Sequence, residues 1–356
     1  MKKLWIRLAV GLLVSALFVA AISLLPEPHS GKRTDGLFYK ASGIRPDARL
    51  LVVDGETVSA EEYLYWLAYD CEYLSANMGQ INWDSQLTKD MTYGQYAKAD
   101  ALETAKLFAV VRRLAAENNI VLTAEDQAKL QAQRENYIAY YGSEEAYRQQ
   151  VALMGISEEA YDHVNAAYYL LDHLSDLAAA EGSALAPDQE TLTTFAASNG
   201  YVTARILSLP TDGLDEDALN AQQALLADYV RQLQESDDPY ALLGSLAAEL
   251  GIDLNGADRT LRSDSTDKAL YLSVVALKES GVSDVITSDG SFSIAVRCPT
   301  DRDTLARDYF SQQLHQLCGS AEVTFHKLYD SIDTGSFYTA LVAARRVLAQ
   351  EFSATE

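Results

Sequence analysis

Val202-Thr203-Ala204-Arg205-Ile206-Leu207 and Ser288-Asp289-Gly290-Ser291-Phe292-Ser293-Ile294-Ala295-Val296-Arg297 read as two strands, and the fold turns on them. The second follows a distinctive turn, Ala276-Leu277-Lys278-Glu279-Ser280-Gly281-Val282-Ser283-Asp284-Val285. Between the strands, helices are expected over Leu214 to Leu233, Pro239 to Leu250 and Ala269 to Leu277, with a polar Gly/Asp-rich loop from Gly251 to Asp267. Four short strands around a few helices make a compact α/β unit of ~100 residues, a normal domain size. Its expected limits are residues 198–300.

Upstream the pattern changes from α/β to helix after helix. Leu50-Leu51-Val52-Val53, Asp54-Gly55 and Glu56-Thr57-Val58 read as a strand, a turn and its return. Ser59-Ala60-Glu61-Glu62 is a capping box in which Glu62 reaches back, and its helix runs to about Ala76. Ala97 to Asn118 carries an apolar stripe through Ala101, Ala105, Leu107, Ala109, Val110 and Leu114. Thr123-Ala124-Glu125-Asp126 caps a helix to about Tyr141, Gly142-Ser143-Glu144-Glu145 starts another that Gly155 stops, and Ile156-Ser157-Glu158-Glu159 opens the longest of the set, to about Ala180. Pro187 to Gly200 adds one more. After residue 300 come a helix over Asp301 to Cys318, a strand over Ala321 to Phe325 and a closing helix over Thr339 to Phe352.

The N-terminus is of another kind. Lys2, Lys3 and Arg7 precede an apolar run from Leu8 to Leu25 broken only by Gly11, Ser15 and Ser23. As a helix it would span ~27 Å, close to the ~30 Å hydrocarbon core, with the positive end cytoplasmic and the rest of the chain outside. Val19-Ala20-Ala21 also offers a signal-peptidase site, so residues 1–30 are either a retained anchor or a cleaved leader. Residues 31–48, rich in Pro, Gly and mixed charge, read as a tether.

Composition narrows the function classes. The 356 residues carry a net charge of -23, which opposes binding to nucleic acid or to anionic lipid through basic patches. Three cysteines (Cys71, Cys298, Cys318) and five scattered histidines show no metal-ligand spacing. Nucleophile elbow, P-loop, zincin and dinucleotide fingerprints are all missing, and no cofactor is expected. Tyrosine is the outlier, with 21 Tyr against 9 Phe. It groups at Tyr63, Tyr65, Tyr69 and Tyr73, again at Tyr137, Tyr140, Tyr141 and Tyr147, and at Tyr161, Tyr168 and Tyr169. Such side chains serve either as half-buried packing or as an adaptable binding surface.

Taken together, these segments resemble the SurA/PrsA-type extracytoplasmic foldases with a parvulin-type (PpiC-like) peptidyl-prolyl isomerase domain. The opening Val52-Val53-Asp54-Gly55-Glu56-Thr57-Val58-Ser59-Ala60-Glu61-Glu62 is similar to that family's entry to its chaperone domain, with Asp54 where asparagine is usual. The resemblance implies an α+β, mostly helical protein: a transmembrane helix, a helical chaperone domain over 49–197, an inserted parvulin-like domain over 198–300, and a returning segment over 301–356. It implies unfolded or proline-containing polypeptides as partners and a cell-membrane location with the body extracytoplasmic.

The catalytic part of the resemblance departs from the family. Arg205 falls in place of the first core histidine and Ser293 in place of the second. Arginine only donates hydrogen bonds and serine is too short to bridge the same gap. Among the substrate-binding positions, Leu270 stands for a phenylalanine, Thr266 near a methionine, and Asp253 nearest to the loop acid, while the loop glycines shrink to Asn255-Gly256. A buried Arg205 needs a partner, Asp253 or Asp258. Two readings stay open: Arg205, Leu270, Phe292 and Ser293 line a peptide groove of weak or no isomerase activity, or they are core residues of a retired domain. Beyond these stand an active isomerase and a non-catalytic envelope adaptor.

Overall fold

The computed structural model describes residues 31–288 and 290–354. The apolar run Leu8–Leu25 and the leader-or-anchor expectation lie outside these residues; among the described ones no helix is long and apolar enough to cross a membrane. The chain forms two units, one of residues up to 174 together with 313–356, the other of 175–312.

The first unit is mostly helical around a small sheet. Strand β1 (Arg49–Val53) pairs antiparallel with β2 (Glu56–Ser59) on one side and with β9 (Val323–Phe325) on the other, so the far end of the chain completes this sheet. The β1–β2 turn needs left-handed backbone at Asp54 (φ 47) and Gly55 (φ 91). Asp54 tolerates that conformation and its carboxylate accepts from Glu322 N at 2.8 Å, tying the turn to the approach of β9.

Helix α2 (Ala60–Met78) starts where Ser59 Oγ accepts from Glu62 N at 3.1 Å. The other half of the expected capping box is not made. Glu62 instead accepts from Arg112 Nη1 at 2.9 Å, because its carboxylate is buried and a buried charge must find its counterion. The hairpin β3 (Gln86–Thr88) and β4 (Met91–Thr92) leads into α3 (Tyr93–Glu117), capped reciprocally by Thr92 and Gln95. At 25 residues α3, not the helix opening at Glu158, is the longest among the described residues. Helices α4 (Ala124–Tyr141), α5 (Glu144–Met154) and α6 (Glu158–Ala179) follow the caps that their sequences announce. Asp126 accepts from Thr123 N and Oγ1 and lies 2.7 Å from His173 Nε2. These hydrogen bonds hold its carboxyl at about 2.

Residues 31–48 are not a tether. Helix α1 (Gly36–Ser42) lies in them and buries Leu37 and Phe38. The Phe38 ring packs 6.1 Å from Phe337 of α13 (Thr334–Ser353), the last helix, and presses on Gly155, where an added Cβ would lie 2.5 Å from Phe38 Cε1. Burying two large apolar side chains outweighs the poor local propensity of so short a segment.

The second unit holds α7 (Gln189–Asn199) and a four-stranded antiparallel sheet of order β6 (Arg259–Leu261), β5 (Val202–Pro210), β8 (Ser291–Cys298), β7 (Ile286–Ser288). Helices α8 (Glu216–Gln234) and α9 (Pro239–Glu249) cover one face with Leu226, Leu233, Leu243 and Leu246 against Leu207, Ile294 and Val296. Helix α10 (Lys268–Val275) covers the other with Leu270 and Val274 against Ala204, Ile206 and Ala295. The Ala276–Val285 turn is strapped to β8: Ser283 Oγ accepts from Ala295 N at 2.9 Å, and Ser280 takes positive φ (60). The unit reaches beyond 198–300 at both ends. Leu192 and Phe195 of α7 cluster with Tyr201, Leu305 and Ala306, and Tyr201 donates to Asp308 in α11 (Arg302–Ser320) at 2.8 Å.

Candidate functional site

Arg205 lies mid-strand in β5, where a charge is costly, and is only 8% exposed. Its guanidinium is held by two side chains. Nε donates to Asp258 Oδ1 at 3.1 Å, Nη2 donates to Tyr240 Oη at 2.6 Å, and the group stacks on the Tyr240 ring at 3.7 Å. Tyr240 in turn donates to Asp258 Oδ2 at 2.7 Å, and this bond raises its phenol above the usual value. Of the two loop acids considered for Arg205, the partner is Asp258. Asp253 is exposed and accepts from Asn255 N at 2.9 Å within its own loop. Cys298 Sγ stands 3.9 Å from Asp258 Oδ2. Burial, then the carboxylate, push this thiol up, so it is a poor nucleophile.

The groove expected from Arg205, Leu270, Phe292 and Ser293 is not assembled. Arg205 pairs with Val296 across β5–β8 and Ser293 with Ser208, three residues on. Side chains alternate along a strand, so an odd offset sends Arg205 and Ser293 to opposite faces. Phe292 packs on the α8–α9 side with Arg205, whereas Leu270, fully buried, belongs to the α10 side with Ser293. Ser293 is spent on Ser208, with the hydroxyls 2.8 Å apart. Thr266 is exposed and lines a hollow of about 390 Å³ with Tyr201, Arg262 and Asp308 that contains none of the other five. The polar cluster that does exist, Arg205–Tyr240–Asp258, includes two residues that the sequence left unassigned or only half-assigned. Tyr240 carried no signal beyond its place after Pro239.

The first unit presents a second site, an aromatic face built by α2, α3 and α6. Its floor is Trp66 stacked on Phe108, centroids 5.1 Å apart and planes within 5°. Tyr168 meets Phe108 edge-on at 5.1 Å, Tyr69 meets Trp66 at 6.2 Å, and Tyr161 meets Tyr65 at 6.3 Å. The floor is buried but the rim is open: Tyr69 is 56% and Tyr168 49% exposed. Beside Tyr168 lies a hollow of about 370 Å³ walled by Gln133, Asn165, Tyr169 and Asp172. Burial raises the Tyr65 and Tyr168 phenols, which stay neutral over the ordinary pH range. A neutral rim of rings with hydroxyls at the edge suits apolar chain segments while offering hydrogen bonds to their backbone.

Two buried polar atoms on α2, one helical turn apart, lack any partner among the described residues: Trp66 Nε1 and Asp70 Oδ2. Asp70 faces Asp100 of α3 within hydrogen-bonding reach, and burial followed by that neighbouring charge pushes its carboxyl up to about 7. Among the described residues no group of three or more metal-type ligands occurs, and the three cysteines are unpaired.

No protein-family model matches the chain, and no curated protein matches it. Among solved structures, it is similar to the foldase protein PrsA of Streptococcus pneumoniae strain Canada MDR_19A, with 16% identity and a TM-score of 0.25 over 75% of this chain and 93% of that one. PrsA of Bacillus subtilis has 12% identity and a TM-score of 0.28, covering 74% and 90%. A SurA-like chaperone of Campylobacter jejuni has 10% identity and a TM-score of 0.22, covering 79% and 99%.

Proposed function

We propose that the chain is a membrane-anchored extracytoplasmic chaperone of the foldase type that holds unfolded polypeptides on the aromatic face of its helical unit. The observation that carries this reading is that face: a buried, stacked Trp66–Phe108 floor under Tyr69 and Tyr168, which are about half exposed. Exposed rings clustered over a buried aromatic floor mark an interaction surface more than a packing one. The anchor rests on Lys2, Lys3, Arg7 and the apolar run that follows them.

The sheet unit is proposed to be without isomerase activity. Twisting a prolyl amide means lowering a barrier of ~18–20 kcal/mol, which takes polar groups aimed at the substrate. Arg205 is committed to Asp258 and Tyr240, and Ser293 to Ser208 on the other face.

The test pairs two assays on the full-length chain in detergent micelles: aggregation of a refolding model protein, and cis–trans exchange of a proline peptide. Suppressed aggregation without faster exchange is expected. Faster exchange that Arg205→Ala abolishes would make it an isomerase, and no effect in either assay would favour an adaptor with one dedicated partner.

A further inference from the structure

We propose that Asp70 and Asp100, at the seam between α2 and α3, form a receptor for a lysine or arginine side chain of the bound polypeptide, framed by Tyr73 and Tyr96. The proposal rests on the chaperone reading above and names the chemistry that it selects. Two carboxyls on neighbouring helices cannot both hold bare charge at hydrogen-bonding distance; a proton or a cation must sit between them. Asp70 is 8% exposed and its Oδ2 has no donor, a cost that a cationic donor removes. Asp100 is exposed and forms the point of entry.

The chain's own cations near this seam are committed elsewhere. Lys98 donates to the carbonyls of Tyr329 and Ile332, Lys106 pairs with Glu103, and Arg345 of α13 pairs with Glu72. Asp100 on α3 is the titratable group that acts on Asp70, and Asp70 in turn raises Tyr63 and Cys71 on α2 and Tyr96 on α3; all of these are neutral or acidic. Tyr96 lies within electrostatic reach of Asp100, Asp70 and Tyr73, and both tyrosines are exposed, so their ring faces can attract a cation while their apolar bodies cover its aliphatic stem. The net charge of -23 draws basic segments toward the chain as a whole.

Such a receptor exchanges ligands: the incoming ammonium or guanidinium takes the place of the proton shared by the pair. Binding therefore releases a proton near neutral pH and weakens as the pair is protonated.

The probes are two fluorescein-labelled unstructured peptides of Gly, Ser and Leu, one with a central lysine and one with glutamine in its place. Binding to the full-length chain in micelles is read by anisotropy, and proton release by calorimetry at pH 7 in two buffers of different ionisation enthalpy. The lysine peptide is expected to bind about tenfold more tightly and to release a fraction of a proton. In Asp100→Asn, and separately in Asp70→Asn, the preference falls to within about twofold and the proton signal vanishes. A preference that persists in both variants would reflect only the general negative field and would overturn the proposal. Equal binding of the two peptides to the unaltered chain would overturn it too, while leaving the chaperone reading in place. Binding of neither peptide would remove both.

Discussion

Arg205 and Asp258 are joined at 3.1 Å between a central strand and a loop, with Tyr240 bridging them through hydrogen bonds at both ends. The arginine is buried and the aspartate is 31% exposed, so the two ends of this bond are not equivalent. Asp258→Ala leaves a guanidinium inside the protein without its counterion. The expected loss is about 2–3 kcal/mol, less than for a fully buried pair because water reaches the carboxylate. Replacing both residues, Arg205→Leu with Asp258→Ala, should recover most of it. Urea unfolding midpoints decide the matter; a double variant as weak as the single would show that the pair is not what stabilises this corner.

Asp70 should make stability depend on pH. Its carboxyl is pushed up to about 7 by burial and by Asp100, so the folded chain binds this proton more tightly than the unfolded chain. Its contribution is fully present below the ordinary carboxylate value, falls as pH rises from there to about 7, and is flat above. Asp70→Asn should flatten that stretch of the profile and stabilise the protein at pH 8. Thermal unfolding across pH 4 to 8 compares the two chains; parallel curves would rule the residue out as the source.

Helix α1 is held by a ring against a glycine. Gly155 has φ 96, and a Cβ there would meet the Phe38 ring. Gly155→Ala is expected to cost at least about 2 kcal/mol, from left-handed backbone strain and overpacking together. Phe38→Ala should cost ~3–5 kcal/mol through the cavity it leaves. Limited proteolysis at residues 31–48 should become rapid in both variants and stay slow in the parent chain.

The aromatic rim can be removed without touching its floor. Tyr69→Ser with Tyr168→Ser should change stability by no more than about 1 kcal/mol, because both side chains are half exposed. Suppression of aggregation should nevertheless fall steeply. If unfolding is unchanged and holding is unchanged as well, the tyrosines are surface packing and the binding face lies elsewhere.

Local chemistry was enough to place most elements. The caps at Ser59, Thr123 and Ser143, the stop at Gly155 and the proline at the start of α9 act over one helical turn, and the helices end where those residues stand. The four-strand unit was likewise legible from its two long strands and the turn before the last.

Tertiary structure decided what depended on distant partners. Helix α1 exists because Phe337 and Gly155 receive Phe38, and no local signal in a Pro- and Gly-containing stretch announces that. Glu62 left its capping box for Arg112 fifty positions away. Above all, the register of β5 against β8 sent Arg205 and Ser293 to opposite faces. Motif alignment matches residue types along each strand, but the face a side chain takes is fixed by pairing between strands, where a shift of one residue reverses it.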